Sequence, residues 1–231
     1  MPWQTRAVQR TQLSRLPELA IRDVALLHEL LDSTPIAHVA LLDAQGSVLV
    51  VPTAFVRDHE RLLIHGSTGS GWMRRLASGA EVSVAVTAVD GIIVARSTFE
   101  SSYRYRSAVL FGRFASVDNG DKEATLDLIV DRLIPGRAAE VRRPHRRELS
   151  ATSVLSMPIT EWSLKVSQGW PDDPPEEVAT DTWAGVVPMR TAYGTPMAAP
   201  DVRPGIPIPP SVRRLVDDVP PDVATPAPEP S

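Results

Sequence analysis

The chain of 231 residues contains no cysteine. Disulfides, thiolate-held zinc, cysteine-ligated iron–sulfur clusters and thiol nucleophiles are therefore excluded. No run of 18 apolar residues occurs, so the sequence predicts no transmembrane helix. The opening Met1-Pro2-Trp3-Gln4-Thr5-Arg6 lacks the apolar stretch of a signal peptide, and the expectation is a cytoplasmic protein. Charge is not lopsided: a net −4 argues against a general nucleic-acid binder. His28, His38, His59, His65 and His145 show no HxxxH spacing, which leaves metal chemistry without a ligand set. Gly66-Ser67-Thr68-Gly69-Ser70-Gly71 is neither a Gly-x-Ser-x-Gly nucleophile elbow nor a Walker loop, since no Gly-Lys-Ser/Thr follows.

What is present is a chain that is 43% hydrophobic, enough for one good core. Residues 1–20 read as a polar arm. Residues 21–170 read as the folded body, and 171–231 as a proline-rich extension. Ile21 through Leu31 carries Val24, Leu27 and Leu31 at helical spacing and stops at Pro35. Short apolar runs follow at Ile36–Leu42, Ser47–Val51, Arg61–His65, Glu81–Thr87 and Ile92–Thr98, separated by turn residues. The connections at 43–46 and 88–91 are too short for a crossover helix, so antiparallel hairpins are expected at both. Tyr105–Val117 reads as one long, bent strand. Residues 121–134 form a helical pattern with Leu126, Ile129, Val130 and Leu133 in a stripe, stopped by Pro135-Gly136. Met157–Ser167 alternates as a last strand. The fold expected is mainly β with accessory helices, a small antiparallel barrel. A Rossmann fold is excluded by the missing crossover helices and glycine fingerprint.

Of the 22 prolines, 15 lie at 171–231, so the extension should run extended rather than form a core. Residues 182–188 are apolar enough to dock. Disorder is expected from about 220.

The richest chemistry lies at Leu62–Leu76, where an apolar strand runs into a glycine-rich turn and then a helix with two arginines. Backbone N–H groups, hydroxyls and positive charge in that layout suit an anion or phosphate. His65 can bond a ligand or move a proton near neutral pH, or simply satisfy the turn. Gly66, Gly69 and Gly71 permit close approach of a ligand or an ordinary turn. Ser67 and Ser70 can donate to a phosphate; Ser70 is also a helix-cap candidate. Arg74 and Arg75 point in different directions, so one of them at a time faces a ligand.

Further on, Arg96-Ser97 closes a strand, where a guanidinium can form paired bonds to a phosphate or a pyrimidine ring. Arg104 and Arg106 alternate with Tyr103 and Tyr105, which puts the arginines on one face and the tyrosines on the other. Lys165 shares a face with Ser163 and Ser167 and either approaches a ligand or lies at the surface. The basic run Arg142-Arg143-Pro144-His145-Arg146-Arg147 is either a solvated loop or a contact for phosphate or a partner.

These pieces in this order resemble the pyridoxamine 5'-phosphate oxidase-like, FMN-binding split-barrel proteins, in particular the nitroimidazole-resistance (Nim) branch. The resemblance covers about residues 10–190. It is carried by His65-Gly66-Ser67 with Ser70, by Asp90-Gly91 through Ala95-Arg96-Ser97 with Phe99, and by Ser102, Tyr105-Arg106-Ser107 and Phe111-Gly112. Glu123, Pro135-Gly136-Arg137, Glu148-Leu149 with Ala151-Thr152, Ser163 with Lys165, Gly169 with Pro171 and Asp173, and Trp183-Ala184-Gly185 with Pro188 continue it.

The resemblance implies a six-stranded antiparallel split barrel and a homodimer with FMN at the subunit interface. It implies cofactor contacts from His65, Gly66, Ser67, Ser70, Arg74 and Arg75, from Arg96, Ser97, Ser102, Arg106 and Ser107, and from Lys165 and Trp183. His65 and Tyr105 would be the proton donors of an FMN-dependent oxidoreductase acting on a small, nitroaromatic-like molecule. Members of the wider superfamily use F420 or haem, which gives the alternative of a non-catalytic flavin, F420 or haem binder. Two positions depart from the Nim pattern: Gly71 stands where an arginine is usual, and Glu100-Ser101 where a His-His pair is usual.

Overall fold

The computed structural model describes residues 10–12 and 17–217. A seven-stranded sheet runs β1 (Ala20–Ile21), β10 (Glu161–Ser167), β7 (Ser102–Arg113), β6 (Glu81–Val94), β2 (Ile36–Leu42) and β3 (Val48–Ala54), with β11 (Gly185–Pro188) joined to β6 beside that path. A four-stranded sheet runs β4 (Val56–Asp58), β5 (Arg61–Ser67), β9 (Thr152–Pro158) and β8 (Ala115–Ser116). Every pairing is antiparallel. The helices are α1 (Val24–Ser33), α2 (Gly71–Ala77), α3 (Lys122–Leu133), α4 (Arg146–Ala151), α5 (Pro175–Val178) and α6 (Pro210–Asp217).

The main core lies between the two sheets. Ala37, Val39 and Leu41 of β2, Val82, Val84 and Val86 of β6, and Ala108 and Leu110 of β7 face Leu62 and Ile64 of β5 and Leu155 and Met157 of β9. The leucines Leu27, Leu30 and Leu31 of α1 join them. Full burial of each such side chain contributes about 1.5–3 kcal/mol. Asp23 fixes the start of α1 by accepting from the backbone N–H of Ala25 at 2.8 Å. The helix therefore begins at Val24, three residues after the predicted start at Ile21, and Ala20–Ile21 pairs with β10 instead. A second small core forms on the other face of the four-stranded sheet, where Val56, Leu63 and Val154 meet Ile129 of α3.

The six-stranded split barrel expected from the sequence is not the observed architecture. Among the described residues the strands form two separate sheets, and neither closes on itself. The reason lies in β7 and the short strands. The chain breaks at Phe114, whose buried ring turns it from β7 into β8 of the other sheet. β8 has two residues and β4 has three, too few to carry a ladder from one sheet to the other.

The hairpin expected at 88–91 is also absent. β6 runs unbroken through it, with a register shift between Val89 and Gly91. Asp90 at this bulge is occupied by Arg106. Gly91 leaves room for β11: a Cβ there would lie 2.9 Å from the Val187 carbonyl oxygen. The hairpin at 43–46 forms as expected, and a further hairpin joins β4 to β5 at the turn residues 57–60. The run predicted as one strand at 157–167 divides into the end of β9 and β10. The docking segment at 182–188 supplies β11. Most of the predicted arm and the stretch from 218 onward lie outside the described residues.

Candidate cofactor-binding site

The glycine-rich turn between β5 and α2 is held from three sides. The backbone N–H and the hydroxyl of Thr68 both donate to the carbonyl of Ala151, at 2.9 and 3.2 Å, so the end of α4 braces the turn. The Ser67 hydroxyl oxygen accepts from Gly69 N–H at 3.1 Å, and Ser70 N–H donates to the Ser67 carbonyl at 3.0 Å. Arg74 folds back and donates to the Gly69 carbonyl at 2.8 Å. Gly66 packs its backbone on Met73, which a Cβ would approach to 3.2 Å. His65, Ser67, Thr68 and Gly69 remain exposed on this frame, and Ser70 makes no side-chain cap bond. Arg75 donates to the Leu42 carbonyl, which ties α2 to the main sheet.

A second patch occupies the face of the main sheet turned away from the core. Thr87, Ser107, Lys165 and Ala20 form one row across four strands, because Ser107 pairs with both Thr87 and Lys165 and Ala20 pairs with Lys165. The next row is His38, Ala85, Val109 and Ser163. The Lys165 ammonium lies 5.5 Å from the centre of the Tyr105 ring. Small side chains around these groups leave the face open.

A third patch lies at the far end of β6 and β7. The Ser97 hydroxyl oxygen accepts from Glu100 N–H at 3.3 Å. Ser102 pairs with Ile93, and Gly185, packed beneath the Trp183 ring, pairs with Val94. Trp183 itself is exposed.

Two arginines counted as cofactor contacts are engaged elsewhere. Arg106 donates to Asp90 at 2.9 and 3.0 Å and to Glu29 at 2.9 Å, tying α1 to the β6 bulge. Its guanidinium is held more firmly in the charged form than usual, first by the hydrogen bonds to Asp90, against the cost of burial. Arg96 binds Asp173 through its backbone N–H and its guanidinium, both at 2.9 Å. Nothing local in the sequence announces Glu29 or Asp173 as partners. The Asp90-Gly91 pair, read as a turn, was the only signal of the Arg106 clamp. The basic run at 142–147 is partly neutralised: Arg142 pairs with Glu148, and Arg143 with Glu123 and Asp127.

A cavity of about 200 Å³ is lined by Ala20, Ile21, Trp162 and Ser163 and one of about 240 Å³ by Arg10, Ala40, Leu42 and Val48, and no candidate contact lines either one. Among the described residues no cluster of three or more His, Cys, Asp or Glu is arranged for a metal ion. No described helix is long and apolar enough to cross a membrane.

A family model for pyridoxamine 5'-phosphate oxidase matches residues 23–166, more than half of the chain. The chain belongs to this family. The matched region runs from Asp23 through strands β2–β9 and the glycine turn to Val166 in β10. Among solved structures, the FAD and haem binding protein from Mycobacterium smegmatis is 51% identical, with 86% of this chain and 97% of that one covered and a TM-score of 0.83. The flavocytochrome Anf3 from Azotobacter vinelandii is 34% identical, with 90% and 97% covered and a TM-score of 0.83. A protein described in connection with 5-nitroimidazole antibiotic resistance, from Bacteroides thetaiotaomicron, is 20% identical with a TM-score of 0.55, a likeness of fold alone. No curated protein matches the chain.

Proposed function

We propose that this chain is a redox protein that binds a flavin nucleotide, with FAD favoured over FMN, together with haem. The 51% identical relative, described as binding FAD and haem and matched over nearly its whole length, carries this reading. The flavocytochrome at 34% identity supports it independently. The Nim branch has weaker support, because its relative shares the fold alone and Gly71 lacks that branch's arginine.

The residues present fit a flavin. At the turn, a Cβ on Gly71 would meet nothing within 4 Å, and one on Gly69 only the Ser67 hydroxyl, so a phosphate has unobstructed approach to the backbone. The Ser67 and Ser70 hydroxyls would donate to its oxygens, and Arg74 keeps the turn in shape while adding positive charge. Bound flavin would supply hydride and electron transfer, and haem one-electron chemistry. His38, His59 and His65 are exposed, and an imidazole of this kind would hold a haem iron. Lys165 and Ser107 would hold the polar edge of a flavin ring against the open sheet face.

The turn and the open sheet face lie on different sheets, and the two cavities are smaller than the usual ligand pocket of roughly 300–1,000 Å³. That supports a site completed by a second copy, and we propose a homodimer. A second reading is turnover of a small acceptor, for which the exposed His65 and the Tyr105 beside Lys165 would handle the proton.

The test is purification of the full chain without added cofactor. An absorption spectrum, mass spectrometry of the released nucleotide and a pyridine haemochromogen assay follow. The expected result is FAD and haem bands in one protein. A colourless chain that takes up neither added FAD nor added haem overturns the reading. Release of FMN alone would return it to the FMN-type expectation.

A further inference from the structure

The extension does not hang free after β11. Met189 N–H donates to the Asp90 carbonyl at 3.0 Å, completing the β11 anchor on β6. The chain is anchored again 22 residues later, from Met189 to Ser211. Ser211, fully buried, donates to Glu140 through its backbone N–H at 2.9 Å and through its hydroxyl. Arg214 donates to the Pro135 carbonyl at 2.8 Å and packs against Gly136, whose φ of +82° admits this approach. Between the anchors, residues 190–209 form a strap. It has turns at Val202 and Ile206 and no regular element.

The strap turns apolar side chains to solvent. Met197 is 94% exposed, Tyr193 62% and Ile206 53%, with Ile208 also open. Such a run at the surface of a soluble chain marks a contact. Pro196, Pro200, Pro204, Pro207 and Pro209 narrow its conformations in advance, so ordering it on a partner costs less than for an ordinary loop. Anchored at both ends, a strap of twenty residues with a contour of roughly 65–70 Å can stand out by at most about half that length, still enough to touch a neighbouring molecule packed beside it.

The same chain carries a second open apolar surface. Among the described residues β3 is an edge strand, paired to β2 alone. Val48 is 76% exposed, and Val50, Leu42 and Ile36 are exposed beside it. An exposed apolar edge is a ready template for another chain. The topology relates these two surfaces. β2 pairs with β6 at 83–85, and β11 pairs with the same strand at 91–94, while β7 takes the other side along its whole length. β2 and β11 therefore occupy the same side of β6, and the strap leaves the sheet on the side where β3 lies. In a twofold pair meeting on that side, each strap departs toward the other copy's β2–β3 edge, and both open surfaces are covered at once.

We propose that residues 190–209 clasp the β2–β3 edge of a second copy of this chain. The inference rests on the homodimer proposed above.

The absence of cysteine makes a direct test clean. One chain carries Met197→Cys or Ile206→Cys, and a differently tagged chain carries Val48→Cys or Val50→Cys. The two are mixed and treated with a short bis-maleimide. The expected product is a crosslink joining the two tags. In parallel, a Met197→Asp/Ile206→Asp variant, which keeps both anchors, is compared with the unaltered chain in sedimentation equilibrium over a dilution series. The expected result is a dimer constant weakened about tenfold or more, with thermal unfolding at high concentration retained. A dimer unchanged by the substitutions and giving no crosslink between tags overturns the clasp alone. A crosslink confined to a single chain carrying both cysteines does the same. An unaltered chain that is monomeric at every concentration overturns both the dimer and the clasp.

Discussion

Asp173 and Arg96, 77 residues apart, share a two-point bond: the carboxylate accepts from the Arg96 backbone N–H and from its guanidinium, both at 2.9 Å. The Asp173 side chain is wholly shielded and that of Arg96 is 23% exposed. This bond fixes the segment after β10 onto the exit of β6, next to where β11 joins. Removing one partner strands the other charge.

Asp173→Ala should therefore destabilise the chain by about 3–5 kcal/mol, since a shielded ion pair broken from one side leaves an uncompensated charge. Arg96→Met with Asp173→Leu should recover much of that loss, because the charge is then removed together with its partner. Urea unfolding of the three variants measures this. A loss below 1 kcal/mol for Asp173→Ala would mean that water reaches the guanidinium and that the bond is a surface one.

Gly91→Ala tests the bulge. Its new Cβ meets the Val187 carbonyl oxygen at 2.9 Å, a backbone atom that cannot step aside as a side chain does. The expected cost is about 1–3 kcal/mol, in the range of other overpacked sites. Hydrogen exchange should accelerate at Val187 and Met189, the amides that face β6, while the amides of β10 keep their protection. Uniform acceleration across the sheet would show that β11 is not separable from it.

The same position shows where sequence patterns mislead. Asp90-Gly91 between two apolar runs carries every local mark of a hairpin. The glycine serves a neighbouring strand that arrives about a hundred residues later, and the aspartate serves Arg106. Local spacing was sufficient where an element depends on its own residues. Helix α3 at Lys122–Leu133 and the hairpin at Asp43-Ala44-Gln45-Gly46 are of that kind. It was not sufficient for β8, β9 or α6, whose few residues are held by partners far along the chain. The candidate site divides the same way. The turn at 65–70 was legible because glycines, hydroxyls and arginines sit together in sequence. The engagement of Arg96 and Arg106 was not, because Asp173 and Glu29 lie 77 residues from them.

Acid should loosen the brace behind the turn. Glu148 accepts from the His145 backbone N–H and from Arg142, and the Arg142 hydrogen bond, followed by that of His145, lowers its pKa to about 2. A carboxyl whose folded value lies below its unfolded value of roughly 4.3 stabilises the fold above the unfolded value and loses that contribution as pH falls from about 4.3 toward 2. The α4 start should come undone over this window, releasing Ala151 from Thr68. Glu148→Gln should be less stable than the unaltered chain at pH 6 and show no difference from it near pH 2. Unfolding curves across this range decide it, and a difference that stays constant with pH would assign the effect to packing rather than charge.

Gly71→Arg asks whether the turn holds a flavin phosphate. Its Cβ enters open space, and its φ is not in the left-handed region, so the fold should tolerate the change. A guanidinium there would stand beside Ser70, at the mouth of the turn, and add a charge-assisted bond to any phosphate held by Ser67 and Ser70. Such bonds contribute about 1.5–3 kcal/mol, which corresponds to tenfold or more in affinity. Flavin fluorescence quenching should show tighter binding of both FAD and FMN and no change for riboflavin, which has no phosphate. Equal tightening of riboflavin would place the effect at the ring. No tightening at all would move the phosphate away from this turn and toward the row of Ser107 and Lys165 on the open sheet face.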